Sequence, residues 1–295
     1  MNPNIPKVTV LLTTFNGVRF LDEQLTSLYY QQGVDIEVMV NDDGSTDGTI
    51  EILDYWRAKG LIVSISQSRG LGATRAFLML LQSCDRKDFV AFCDQDDVWD
   101  KNKLVLQANS LDESTPMMST CLRLYIDEFG EVIGKSKNLR KLPSFVNSCF
   151  ENIAPGNTVL LNNPAIKVIN SLQNPPVVHY DSWIYLLIST FGKVDLIPSY
   201  FVRYRIHLNN SVGLRKNSFA TTRKSIKNYL EQQTFLLDEK LEYLSQNQRK
   251  HLIAISTLVK EKSLRKKLLL FSKLKIGRQS ILDNLFFKFF MLFVR

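Results

Sequence analysis

Two short acidic clusters hold most of the chemistry this chain can offer. The first, Asn41-Asp42-Asp43-Gly44-Ser45-Thr46-Asp47-Gly48-Thr49, follows the apolar run Ile36-Glu37-Val38-Met39-Val40. The second, Asp94-Gln95-Asp96-Asp97, follows Phe89-Val90-Ala91-Phe92-Cys93. Carboxylates at the carboxyl ends of buried strands lie where open α/β sheets bind ligands. Asp94 and Asp96 offer hard oxygen donors that could bridge a divalent cation, Mg2+ or Mn2+, to substrate phosphates. Carboxylates crowded between Asp94 and Asp100 repel one another without a cation or a basic partner, which argues against a purely structural cluster. The pattern points to an enzyme acting on a nucleotide or a phosphorylated compound.

Positioning those clusters falls to a regular alternation. Val8-Thr9-Val10-Leu11-Leu12 reads as a buried strand, and Leu21, Leu25 and Leu28 recur at helical spacing between Phe20 and Tyr30. A strand at 36–40, a helix from Asp47 to Trp56, a strand at 61–65, a helix through Ala73, Phe77, Leu80 and Leu81, and a strand at 89–93 follow. Strands alternating with helices predict crossover units, hence an α/β fold with a mainly parallel sheet flanked by helices. Between about 115 and 210 the pattern is less regular. Met117–Tyr125 and Asn157–Leu161 read as strands, a helix runs on from Asp181 through Trp183, and 193–205 reads as extended segments broken at Pro198. From Ser218 onward the pattern is helical.

Composition bounds the function classes. In 295 residues, 45% hydrophobic and 22% charged content are ordinary for a globular protein. Cys84, Cys93, Cys121 and Cys149 are widely spaced and predict reduced, buried thiols rather than a zinc site or disulfide framework. No secretory leader or membrane-length apolar run is visible, so a cytoplasmic chain is expected. Residues 1–212 hold 19 Lys+Arg against 23 Asp+Glu, whereas residues 213–295 hold 18 against 6. The charge therefore divides a catalytic region, 1–212, from a basic amphipathic helical region, 213–295. The latter ends in Leu285-Phe286-Phe287-Lys288-Phe289-Phe290-Met291-Leu292-Phe293-Val294-Arg295. Those aromatics favour a lipid surface over nucleic acid as the anionic partner, at the inner face of the cell membrane. Packing on the catalytic body or on a second copy of the chain, as a homodimer, accounts for the amphipathicity equally well.

Val10-Leu11-Leu12-Thr13-Thr14-Phe15-Asn16-Gly17, the Asp42-Asp43 cluster and Phe92-Cys93-Asp94-Gln95-Asp96-Asp97-Val98-Trp99 together resemble glycosyltransferase family 2, the Asp-Gln-Asp-Asp-x-Trp form being similar to its rhamnosyltransferase-like branch. His179-Tyr180-Asp181-Ser182-Trp183 and Tyr204-Arg205-Ile206-His207-Leu208-Asn209-Asn210 agree in order, and the match spans about residues 7–212. The resemblance implies the A-type glycosyltransferase fold, a dTDP- or UDP-linked sugar donor, a divalent cation and inversion at the anomeric carbon. A saccharide acceptor on a lipid carrier, within cell-surface polysaccharide synthesis, is the expected partner, because it gives the basic, aromatic tail a purpose.

Roles carried over by the resemblance are specific. Thr13, Thr14 and Phe15 meet the nucleotide, and Asp43 accepts from the base N–H. Apart from the resemblance, Ser68-Arg69-Gly70-Leu71-Gly72 precedes a helix and reads as a plain loop or one whose N–H groups approach phosphate or ribose; many relatives carry Asn at Ala76, where Arg75 either compensates as a donor contact or is simply solvated. Asp94 and Asp96 bind donor and metal, and His207 completes the metal shell, as in some relatives, or is an ordinary polar loop residue. Asp181 is the catalytic base that takes the acceptor proton, or the cap of its helix. Trp183 stacks on an acceptor sugar or belongs to the core. Asp42 and Asp47 have ordinary turn and helix-cap readings.

Other classes leave residues without work. Asp94-x-Asp96 also resembles the first motif of haloacid-dehalogenase-type phosphohydrolases, in which Asp94 is a nucleophile. Three strands precede it here, and Asp43 and Asp181 would be idle. A nucleotidyltransferase requires a glycine-rich basic loop where this chain has Thr14-Phe15-Asn16-Gly17. A catalytically inactive membrane adaptor fits the basic last quarter but not the intact acidic set.

Overall fold

The computed structural model describes residues 5–84, 88–137, 139–172, 175–177, 179–207, 219–274, 278–280, 284, 285, 287 and 289. Four strands form one half of a nine-stranded sheet: β1 (Lys7–Thr14), β2 (Asp35–Asp42), β3 (Ile62–Gln67) and β4 (Phe89–Asp94). They run parallel in the order β3-β2-β1-β4, joined by α1 (Leu21–Tyr29), α2 (Thr49–Ala58) and α3 (Ala73–Ser83). Side chains alternate across the sheet. Val8, Val10 and Leu12 of β1 pack with Leu21, Leu25 and Leu53 on one face, while Leu11 joins Phe77, Phe92 and Trp183 on the other. The register sets Thr13 beside Asn41 and Asp94, and Thr14 beside Asp42. Both acidic clusters therefore leave the sheet at the same edge.

The second half of the sheet is mixed rather than parallel. β8 (Leu160–Asn162) pairs antiparallel with β4 and with β6 (Met117–Ile126); β9 (Lys193–Arg205) runs parallel to β6, and β5 (Val98–Trp99) antiparallel to β9. β7 (Val132–Lys135) forms a hairpin with β6. Helices α4 (Lys103–Ala108), α5 (Phe145–Ser148), α6 (Asn163–Asn170) and α7 (Tyr180–Phe191) fill the connections. Residues 193–205 form one strand, not two segments. The register jumps from Cys121↔Ile197 to Leu122↔Tyr200, so Pro198 and Ser199 sit in a bulge, where a missing N–H breaks no ladder bond. At the expected strand 157–161, residues Gly156–Thr158 form a 3-10 turn instead.

Helices α8 (Phe219–Lys240), α9 (Gln246–Lys260) and α10 (Leu264–Lys273) follow. Ser245 and Gln248 form a capping box that starts α9, so the chain turns sharply there. Leu236, Leu252, Ile255, Leu258 and Phe271 bury into the same core as Trp183, Ile184 and Phe150. Much of the C-terminal apolar surface is therefore covered by the body. Most of the terminal run 285–295 lies outside the described residues, although Phe287 is buried with its ring centroid 5.3 Å from that of Phe150. Among the described residues no helix is long and apolar enough to cross a membrane. All four cysteines are free and buried.

Candidate active site

The two acidic clusters divide into scaffold and working residues. Asp42 is buried and takes hydrogen bonds from Thr14 Oγ1 at 2.8 Å and from the Ser45 and Gly44 amides at 2.8 and 3.1 Å. It shapes the turn and commits the Thr14 hydroxyl proton. Asp47 accepts from the amides of Thr49 and Val18, one residue before the left-handed Gly48 that caps α2; the helix starts at Thr49. Phe15 is exposed beyond β1, and its backbone N–H and C=O both bond the Gln95 amide, at 2.8 and 3.0 Å. Gln95 thus ties the Asp94–Asp97 turn to the exit of β1. A side chain on Gly17 would sit 2.3 Å from Gln95 Oε1, which explains the glycine.

Asp43 accepts from Ser68 Oγ at 2.7 Å, Leu71 N at 2.8 Å and Gly72 N at 2.9 Å. Partial burial alone would raise its pKa, but these bonds and one from the Gly70 amide outweigh it and hold the carboxyl below its usual range. In this structure the Gly70 loop, expected to approach phosphate or ribose, points its N–H groups elsewhere. Positive φ angles at Gly70 and Gly72, 68° and 77°, turn the amides onto Asp43 instead, because an ionised carboxylate can accept several at once. Arg75 is exposed on the first turn of α3, while Ala76 is buried on its core face.

In the second cluster Asp97 is fully buried, accepting from Asn157 Nδ2 at 2.5 Å and from the Arg205 amide at 3.3 Å. Arg205 is itself 1% exposed. Its guanidinium bonds the Asp96 carbonyl at 3.0 Å, the Asp127 carbonyl and Glu23, and lies 4.5 Å from the Phe20 ring centroid. Beneath the turn, the buried Lys103 ammonium sits 3.5 Å over the Trp99 ring. Burial pushes its pKa down to about 8, against the opposing pull of Cys121, Cys93 and Asp97. Asp94 and Asp96, by contrast, keep partial exposure. His207 Nε2 lies 2.8 Å from Asp96 Oδ2, so the candidate metal residues at 96 and 207 do meet. The last part of that motif, Leu208 to Asn210, is outside the described residues.

Asp181 lies in the first turn of α7, one residue inside the helix, whose N-cap is His179. It is therefore not the cap. Its carboxylate accepts from Ser182 N at 2.8 Å, from the Gly156 amide and from the Asn152 side chain. Burial nevertheless raises its pKa, over these bonds and the charge of His179. Gly156 is required on a second count: a Cβ there would fall 1.8 Å from the Tyr180 hydroxyl. Of the two readings of Trp183, burial favours the core. It is 0% exposed and packs edge-on to Phe235 with centroids 5.9 Å apart, leaving no ring face for an acceptor sugar.

Electrostatics join the two sides of the site. The Asp94 carboxyl is pushed up to about 7, first by burial, then by the charges of Asp96 and Asp181, with Arg123 opposing. Among the described residues no group of three or more His, Cys, Asp or Glu side chains stands together as a metal site. A stability signature follows. Folded Asp94 keeps its proton to about pH 7, whereas the unfolded carboxyl has a pKa of 3.8. The stability linked to that proton is full below the unfolded value and is lost as pH rises through about 7. In chelator, Tm is expected to fall between about pH 5 and pH 8, and Mn2+ should flatten the slope. A Tm that rises across that interval in chelator contradicts the arrangement.

No role was expected for Gln95, Asn152, Asn157, Lys103 or Arg205, although Gln95 and Arg205 lie within the quoted motifs. Lys103 also left a local signal, a charge on the same helical face as Leu104, Gln107 and Ala108, all buried.

Comparison with known proteins adds the following. The family model described as glycosyl transferase family 2 matches residues 9–161. A Shigella flexneri protein named dTDP-rhamnosyl transferase RfbG is 27% identical over 220 residues, covering 68% of this chain and 73% of that protein. Staphylococcus aureus TarS 1–349, solved with UDP-GlcNAc, superposes with a TM-score of 0.62 at 16% identity, covering 90% of this chain and 79% of that one. The Pyrobaculum calidifontis mannosyltransferase PcManGT, solved with GDP-Man and Mn2+, gives 0.58 at 17% identity, covering 90% and 73%.

Proposed function

The chain belongs to glycosyl transferase family 2, and from that premise we propose that it is an inverting, metal-dependent transferase. In this reading it moves rhamnose from a dTDP- or UDP-linked donor to a saccharide acceptor in cell-surface polysaccharide synthesis. What supports the mechanism is proximity: Asp181 is near enough for its charge to help raise Asp94, so one substrate could reach both carboxylates. Asp43 and its loop receive the base, beside Thr13 at the sheet edge. Asp94 and Asp96 hold the cation, with His207 beside Asp96. When bound there, a divalent cation neutralises charge gathering on the departing nucleoside diphosphate. Asp181 takes the proton of the acceptor hydroxyl as its oxygen attacks the anomeric carbon, and its raised pKa makes it a stronger base than a solvated carboxylate. The Shigella relative supports rhamnose as the sugar.

Incubation with a panel of nucleotide sugars and Mn2+ tests the class. The transferase reading expects nucleoside diphosphate released in step with transfer, most with dTDP-rhamnose. Release of inorganic phosphate instead would identify a hydrolase.

The acceptor is proposed to be carried on lipid at the inner membrane face. Leu264, Leu268 and Leu269 of α10 are 53%, 53% and 59% exposed, among exposed Lys260, Lys262, Arg265 and Lys266. Apolar side chains flanked by cations suit an anionic lipid surface. Cosedimentation with phosphatidylglycerol vesicles, lost in Leu268→Glu/Leu269→Glu, is the expected result. Equal sedimentation of both proteins would remove the membrane from the account.

A further inference from the structure

We propose that the C-terminal region completes the acceptor side of the site, with Gln279, Arg278 and Tyr229 as positioning residues that hold segment 139–152, and with it Asn152, against Asp181. The inference rests on the assignment of Asp181 as the base.

Gln279 is the centre of the contact. Its side-chain oxygen accepts from the amides of Arg140 and Lys141 at 2.8 and 2.9 Å, and its side-chain nitrogen donates to the Lys141 carbonyl at 2.9 Å. Its own backbone N–H donates to Glu151 Oε2 at 2.7 Å. One residue thus grips the segment at both ends. Arg278 donates to the Phe150 carbonyl at 2.8 Å, and Gln233 of α8 donates to the Cys149 carbonyl at 2.5 Å. The next residue but one after Phe150 is Asn152, whose side chain bonds Asp181. Its amide meets Tyr229, a half-buried α8 tyrosine that feels the charges of both Asp181 and Arg278.

These bonds have a shared geometry. Segment 139–152 contains only the short helix α5 and pairs with no strand, so its backbone groups need partners from elsewhere. Several come from positions 229–279, more than 75 residues downstream. A base must be held within hydrogen-bond reach of the proton it takes, and small displacements are costly. The donor side, built from Asp43, Thr13 and Asp94 at the ends of β1, β2 and β4, has none of these contacts. Loosening the C-terminal staple should therefore affect the acceptor and spare the nucleotide.

Three variants separate positioning from simple folding. Gln279→Leu removes every side-chain bond to Arg140 and Lys141; Gln279→Glu retains the two accepted from their amides; Tyr229→Phe removes the phenol. Acceptor KM and kcat are measured with the best wild-type acceptor from a panel of octyl glycosides. Affinities for UDP and dTDP with Mn2+ are measured by calorimetry, and exchange of amides 139–152 by mass spectrometry. Gln279→Leu is expected to speed that exchange and raise acceptor KM about tenfold, with nucleotide affinity changed by less than about twofold. Gln279→Glu should recover part of the loss, and Tyr229→Phe should raise KM with no change in exchange at 140–141. Unchanged exchange, faster exchange with unchanged acceptor kinetics, or nucleotide affinity falling in parallel would each overturn the proposal. Failure of the base assignment would show separately, as transfer retained by Asp181→Asn with Gln279 intact.

Discussion

Asp181→Asn is expected to lower sugar transfer by about 10²–10⁴-fold, the range of a lost general base, without weakening nucleoside diphosphate binding. The replacement is nearly isosteric. Its amide oxygen can still accept from Ser182 N and Gly156 N, so the first turn of α7 has no reason to move. What is lost is the capacity to take a proton. The same change removes one of the charges that push Asp94 up to about 7. Asp94 in the variant should therefore ionise more readily, and Mn2+-dependent binding of UDP or dTDP near pH 7 should be equal or tighter. Rapid-quench transfer assays and calorimetry on the same preparation check both halves. A variant that keeps turnover removes Asp181 from the mechanism; one that loses turnover and nucleotide binding together gives it a structural role.

Asp96→Asn is expected to cost about 10²-fold or more in transfer, the equivalent of several kcal/mol of charge stabilisation, while the metal-free protein becomes more stable. The opposite signs come from one cause. Asp96 contributes to the charge that raises both Asp94 and Asp97, a burden on the fold in the absence of a cation. Asparagine keeps a hydrogen-bonding oxygen toward His207, 2.8 Å away in the native pair, so local geometry survives. Stability gained where activity is lost is the mark of a functional group held against its own repulsion. Thermal unfolding in chelator and with Mn2+, alongside transfer rates, measures the pair of effects. A drop in Tm in chelator would contradict this electrostatic account.

The parallel half of the sheet was legible because each strand is a short apolar run ended by a turn or an acidic cluster. That placed Asp43, Asp94 and Asp96 at a sheet edge before any coordinates. The mixed half was less so: Pro198 reads as a break, yet a bulge accommodates it within a single strand. Trp183 illustrates a further limit. Helical period predicts the helix, but which ring faces the cleft depends on Phe235, 52 positions later. The framework under the acidic turn was hidden for the same reason. Arg205 reaches Glu23 across 182 positions and Asn157 reaches Asp97 across 60, separations at which pattern carries no information. The C-terminal helices, ambiguous between body and lipid by amphipathicity, are half resolved by packing. One face is buried with Trp183, and the Leu268 face of α10 is exposed.

Manganese-edge anomalous diffraction from crystals grown with Mn2+ and dTDP would locate the cation. A metal-dependent transferase should give an anomalous peak against the Asp96 carboxylate, with the Asp181 carboxylate opening onto the same cavity. A peak at some other site, or an Asp181 walled off from the nucleotide by protein, would contradict this account.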